Sequence, residues 1–346
     1  MRDSILDHIR AYPMVILLLP LVAAILLFID RPPKYAPKTP PNAMQQMLYG
    51  RLAAAGLEGD ELATVGALTL GYKEELDKDL RRHFQASGAA HVLAVSGLHT
   101  GIIYGLLIAL LTLGGHFKPM HENRLGRCAI SLIIIGAMWG YAWLTGMTPS
   151  VVRAVLMVTM FEVGHMAYKR SFSINTIAAA AVLILLVKPT DLWSVSFQLS
   201  FAATAAIVLF MSAWSPAVSS SRMTKIVRYV LGIILVSLAA QLGTLPITMF
   251  YFKQVSTYFL LTNLMVLPLA SLLVPCGLAT IALGGSTIGL VVGKVTWALA
   301  WAMNHAVEWI ESLPGSTVSA HINGWMIFIF YVFLLLFFAF MPKKAN

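Results

Sequence analysis

Five polar side chains stand where apolar ones would be expected. His99, Arg153, Gln198, Gln241 and Asn263 each lie inside a long apolar block. There a polar group is costly unless it meets water, a partner or a substrate. An arginine in such a block should face a water-filled cavity or an anion, since its head can snorkel but cannot pair with hydrocarbon. The two glutamines and the asparagine, taken singly, read equally well as hydrogen-bonding glue between helices. Ser96 and His99 are three residues apart, a spacing at which a hydroxyl and an imidazole can act as nucleophile and base. No G-x-S-x-G surrounds that serine, and Ser96 and Ser200 read more simply as residues bonding back to their own helix. Glu162 and His165 share the same spacing and can pair with each other or with Lys169.

Several chemistries are excluded at this level. The chain contains no G-x-x-x-x-G-K-[ST] phosphate loop and no H-E-x-x-H. It has no His/Asp cluster of the kind that holds hydrolytic zinc. Cys128 and Cys276 sit in apolar runs, match no thiolate or disulfide pattern, and read as small core residues. No catalytic residue, metal or cofactor is therefore assigned.

The elements that must carry these residues follow from composition. Hydrophobic residues make up 58% of the 346 and charged residues only 11%, against roughly a quarter charged in a soluble domain. A hydrocarbon core about 30 Å thick needs about 20 helical residues to cross it, and backbone groups in lipid must be bonded within their own segment. The fold class is thus all-α: a polytopic helical membrane protein with about ten spans and added interfacial amphipathic helices. The spans are expected at 13–29, 92–113, 128–145, 151–168, 174–187, 195–213, 226–250, 256–275, 277–293 and 323–341. Residues 295–313, with Trp297, Trp301 and Trp309 as anchors, read as a helix lying in the interface.

Within this frame the polar residues share a level. At 1.5 Å per residue, His99 lies roughly 12 Å below the external end of its span and Gln241 roughly 13 Å. Gln198 and Asn263 lie on the order of 10 Å in. Arg153 is about one turn below the Thr148-Pro149 loop. Scattered structural residues have no reason to share a slab between the outer surface and the midplane; a wet central pathway does. Gly97, Gly101 and Gly105 form a small-residue stripe expected to allow close helix contact.

Lysine and arginine in the short loops set the orientation. With the N-terminus inside, the cytoplasmic loops hold twelve cations and the opposite loops of the core three, which puts both termini in the cytoplasm. The first 30 residues read as a retained N-terminal transmembrane helix. Pro32, Pro33, Pro37, Pro40 and Pro41 make 31–42 an extended linker, and 31–61 reads as that linker plus a short helix. Residues 74–86 read as an amphipathic helix on the external surface, and 62–346 form the membrane core.

The stretch His91-Val-Leu-Ala-Val-Ser96-Gly97-Leu-His99 resembles the signature of the ComEC competence-protein family. Three more blocks are similar to that family in the same order. They are Thr145-Gly-Met-Thr-Pro-Ser150-Val-Val-Arg153-Ala, Ser196-Phe-Gln198-Leu-Ser200-Phe-Ala, and Gln241-Leu-Gly-Thr-Leu-Pro246 followed by Asn263 and Pro268. The resemblance implies an inner-membrane channel passing single-stranded DNA from periplasm to cytoplasm in natural transformation. It implies a periplasmic DNA receptor and a cytoplasmic helicase or translocase as partners, besides the membrane lipids. The path would be lined by His99, Arg153, Gln198, Gln241 and Asn263, with Ser96, His91 and Ser150 from the same motifs. The formal net charge of +9 suits a polyanion, and such a conduit needs cationic and hydrogen-bonding groups.

Family members commonly carry an OB-like domain after the first span and a metallo-β-lactamase-like nuclease domain at the end. Here 31–61 is too short for a five-stranded barrel and no zinc motif follows the core, so neither domain is expected. Two rival readings stay open. One is a transporter or channel for a smaller anion on the same scaffold; the other is an intramembrane hydrolase built on Ser96 and His99.

Overall fold

A computed structural model describes residues 13–30, 42–93, 96–112, 124–166, 174–219, 224–319 and 322–340. The Pro-rich stretch 31–41, Ala94 and Val95, and the cations Arg2, Arg10, Lys118, Lys169, Arg170, Arg222, Lys343 and Lys344 lie outside the described residues.

The described chain is helical almost throughout. The helices are α1 (Pro13–Phe28), α2 (Ala43–Ala54), α3 (Gly59–Leu70), α4 (Lys78–Ala86), α5 (Ala90–Leu93), α6 (Gly97–Thr112) and α7 (Arg124–Leu144). Then come α8 (Pro149–Met166), α9 (Ile174–Val187), α10 (Val195–Ser219), α11 (Lys225–Phe252), α12 (Phe259–Leu283), α13 (Thr287–Ser312) and α14 (Gly324–Phe340). A single 3₁₀ turn, Pro189–Trp193, precedes α10. Two short strands, β1 (Gln254–Ser256) and β2 (Thr317–Ser319), pair antiparallel with Val255 opposite Val318.

The chain forms two compact units. The first takes residues 1–34, 172–260 and 317–346. In it α1 packs on α9, and Asn175 Oδ1 accepts the Met14 N–H at 2.9 Å, satisfying a donor that the helix start leaves open. Helices α10 and α11 approach until a Cβ on Gly243 would sit 2.6 Å from Ala206 Cβ. Pro246 lies inside α11. One residue after the carbonyl that this proline leaves without its helix donor, Tyr331 of α14 donates to Gly243 O at 2.7 Å and ties the two helices together.

The second unit takes residues 35–171 and 261–316. Its α2 opens on a capping box, Asn42 Oδ1 accepting from Gln45 N at 2.7 Å and Gln45 Oε1 from Asn42 N at 3.0 Å. The Gln45 amide then donates to Leu70 O at 2.8 Å, tying α2 to the end of α3. Every residue from Ala63 to Leu70 is buried, so α3 is an internal helix covered on all sides. A Cβ on Gly277 of α12 would lie 2.5 Å from Thr69 Cγ2, and one on Gly293 of α13 would collide with Ala55 O. Thr64 Oγ1 donates to Asn304 Oδ1 of α13 at 2.9 Å.

Three expectations change. The span 92–113 is not one helix: α5 ends at Leu93 and α6 starts at Gly97, because Ser96 caps α6, its Oγ accepting from Leu98 N at 3.3 Å. His99 is therefore in the first turn of a helix rather than two turns down one. The spans 256–275 and 277–293 and the separate interfacial helix 295–313 are instead two long helices, α12 and α13. The break falls at Gly284, in the left-handed region at φ 55°, followed by the Ser286 cap that accepts from Gly289 N at 3.0 Å. Pro268 and Pro275 are absorbed inside α12. Finally, a Cβ on Gly101 or Gly105 would meet nothing within 4 Å, so among the described residues that stripe makes no close contact beyond Gly97. The close approaches fall at Gly66, Gly243, Gly277 and Gly293, where a small residue faces another chain segment directly.

Candidate functional site

The first-turn position of His99 governs its chemistry. The ring is fully buried. Its Nδ1 accepts the Ser96 N–H at 3.2 Å, with Ser96 Oγ also at 3.2 Å. An Nδ1 that accepts leaves the proton of the neutral ring on Nε2. That Nε2 is buried with no hydrogen-bond partner among the described residues. The contact expected of a Ser/His pair is thus present, but Ser96 is engaged as a helix cap, and no acid among the described residues orients Nε2.

Arg153 sits one turn into α8, which starts at Pro149, a residue suited to the first helical position. The turn before it is shaped by Gly146 at φ 72° and Met147 at φ 52°. Arg153 is 2% exposed. A Cβ on Gly97 would lie 4.0 Å from Ala154 Cβ, so the first turn of α6 faces the turn of α8 that carries Arg153. Ser150 is half-buried in the same turn.

Asn263 is anchored from another direction. Thr262 Oγ1 donates to Ser87 O at 2.6 Å, fixing the start of α12 to the turn after α4. Asn263 itself is buried, and its Oδ1 has no partner among the described residues. His91, at the exposed side of that turn, holds Gly88 O through Nδ1 at 3.1 Å. The second unit therefore gathers His91, Ser96, His99, Ser150, Arg153 and Asn263. Gln198 and Gln241 belong to the first unit. There Gln198 Nε2 donates to Leu192 O at 3.0 Å, closing the 3₁₀ turn, and Gln241 is half-buried on α11.

Glu162 and His165 pair at 3.6 Å, as their spacing suggested. The structure adds two residues that no local pattern signals. Tyr104 of α6 and Ser131 of α7 each donate to the Glu162 carboxylate at 2.6 Å. On the surface of the same unit, Arg82 and His83 of α4 hold Glu311 of α13 at 3.0 and 3.2 Å. The Arg82 hydrogen bond, more than that of His83, pulls the Glu311 carboxyl below the usual carboxylate range against a smaller opposing push from burial. Among the described residues no group of three His, Cys, Asp or Glu side chains is arranged to hold a metal ion.

The outer faces of the helices are apolar. Leu26 and Leu27 on α1, Ile133 and Trp143 on α7, Ile226 on α11, and Trp325 and Phe328 on α14 are all exposed. Large apolar side chains exposed on so many helices are unlike the surface of a soluble globule and match a lipid environment. Leu125–Leu144, Lys225–Phe252 and Phe259–Leu283 are long and apolar enough to cross a membrane, and shorter apolar helices such as Gly97–Leu111 and Ile174–Val187 accompany them.

The class is therefore an all-helical membrane protein. The chain belongs to the Competence family, whose model, described as "Competence protein", matches residues 68–344. It is 29% identical over 296 residues to ComE operon protein 3 of Bacillus subtilis, covering 84% of this chain and 35% of that protein. It is 27% identical over 269 residues to the uncharacterized protein YcaI of Escherichia coli, covering 77% and 35% respectively. Recombination protein 2 of Haemophilus influenzae is 26% identical over 271 residues, covering 75% of this chain and 32% of that protein. The chain thus spans about a third of the length of these relatives. No solved structure matches it.

Proposed function

We propose that this chain is the membrane core of a DNA-uptake channel, with about ten spans in a bacterial inner membrane, that passes one DNA strand from periplasm to cytoplasm. The observation that carries this reading is the competence-family match over 68–344, which takes in all the polar motif residues. The chemistry of the second unit supports it. Arg153 offers a fixed positive charge for phosphates. His99 Nε2 and Asn263 Oδ1 are polar atoms still open to a ligand or water. Both side chains and Arg153 are buried, and on this reading a strand reaches them only when the helices around them separate. The force comes from a cytoplasmic helicase or translocase, and delivery from a periplasmic receptor.

The test is entry of a labelled single strand into proteoliposomes or competence-deficient cells carrying the full chain. Arg153→Ala is expected to cut entry about tenfold or more while the protein still inserts, the loss of one charge-assisted hydrogen bond worth about 1.5–3 kcal/mol. Normal entry in that variant would remove Arg153 from the path. Entry independent of strand length and polarity would favour a channel for a smaller anion. A hydrolase built on Ser96 would be labelled by a serine-directed probe, and no labelling of the folded protein is expected.

A further inference from the structure

The strand path gives Glu162 no task, yet its carboxylate is 2% exposed in the midst of three helices. Its two oxygens are used separately. Tyr104 Oη donates to Oε1 at 2.6 Å and Ser131 Oγ donates to Oε2 at 2.6 Å. His165 Nδ1 stands 3.6 Å from Oε2. Helix α6 reaches the carboxylate through Tyr104, α7 through Ser131, and α8 supplies Glu162 and His165. An ionisable residue inside an apolar helix is kept for a reason, and chains of Glu, His and hydroxyl groups are a recurrent means of moving protons in membrane proteins.

The partners suit both charge states. A hydroxyl donates or accepts. Against the anion, Tyr104 and Ser131 both donate, at the short distances of charge-assisted O–H···O⁻ bonds. Against the acid, Ser131 can turn to accept from Oε2–H while Tyr104 goes on donating to Oε1. Lysine or arginine in those two places would serve the anion alone. His165 is the more exposed member, its side chain 23% exposed against 2% for Glu162, and it stands in the last turn of α8. The other titratable or charged residues on the three helices are Arg124, Arg127, Cys128 and Tyr141 on α7, of which Arg127 is buried one turn before Ser131, and, at the opposite ends of α6 and α8, His99 and Arg153.

We propose that Glu162 is a proton-binding site, filled and emptied through His165. When the His165 imidazolium closes the 3.6 Å gap to hydrogen-bond distance, it gives its Nδ1 proton to Oε2, becoming neutral imidazole as the carboxylate becomes a carboxylic acid. The Ser131 hydroxyl reverses, and His165 takes its next proton from water. Loading turns two charge-assisted bonds into neutral ones of about half the strength, which loosens the joint of α6, α7 and α8. The site operates whatever solute the protein passes.

The test is a pH titration of the full chain in lipid nanodiscs, read by infrared difference spectroscopy at the C=O stretch of a protonated carboxyl group. Wild type is expected to show a carboxyl band that grows as the pH falls, and Glu162→Gln to lose it. His165→Gln should keep the band but slow its exchange in heavy water. If no band that Glu162→Gln removes appears at any pH where the wild type stays folded, the proposal is overturned and Glu162 is a permanently charged joint. Unchanged exchange in His165→Gln overturns the route. Should Glu162→Gln not fold, Glu162→Asp must move the titration midpoint; an unmoved midpoint overturns the assignment as well.

Discussion

At the scale of single residues, the polar groups divide by what holds them. Ser96 does two things at once: it caps α6 through its hydroxyl and fixes the tautomer of His99 through its backbone N–H. Replacing it with alanine keeps the backbone bond and removes the cap. Ser96→Ala should therefore destabilise the protein by about 1 kcal/mol, seen as an earlier thermal transition in detergent, while His99 keeps its Nδ1 acceptor role. Gln198 illustrates the other outcome. Its amide donates to Leu192 O, which ties the first turn of α10 to the 3₁₀ turn before it.

At the scale of elements, close approach and continuity decide. A glycine stripe at i, i+4, i+8 marks Gly97, Gly101 and Gly105, yet the close approaches are at Gly243, against the Ala202 backbone, and at Gly277, against the Thr69 side chain. Gly277→Leu should cost about 1–3 kcal/mol by forcing α12 away from Thr69, whereas Gly101→Ala should stay within about 0.5 kcal/mol; both are read by thermal unfolding in one detergent. Helix α4 is held to α13 by Arg82 and His83 on Glu311. Because the Glu311 carboxyl is held below its ordinary range, its contribution is complete above the unfolded-state value and is lost as the pH falls through the folded one. The pair is exposed at Arg82, so the effect is about 0.2–1 kcal/mol. Hydrogen exchange of α4 should quicken in acid, and Glu311→Gln should be fast already at neutral pH.

At the scale of the whole molecule, the replacement of two spans and an interfacial helix by α12 and α13 leaves the number of crossings even if α13 crosses. On the charge bias of the loops, both termini are then predicted to lie in the cytoplasm. Reporter fusions at the N-terminus and after Phe340 are expected to report the cytoplasmic side in both cases. Opposite sides would mean that α13 lies along the interface and the count is odd.

The sequence by itself determined the solvent and the helices, because apolar blocks of span length have no other stable form in lipid. It also exposed the pairings made within one turn of chain: Glu162 with His165, and Ser96 with His99. The tertiary structure alone decided which residues from distant segments meet. Tyr104 and Ser131 lie 58 and 31 positions from Glu162, and no spacing within one helix marks them. It decided that the Ala63–Leu70 stretch of α3 is buried on every side, since composition cannot tell a helix covered by α12 and α13 from one left on the surface. It decided where helices stop, at Ser96 and at Gly284, because a serine or a glycine in an apolar run becomes a cap or a break only when the packing around it bends the chain there.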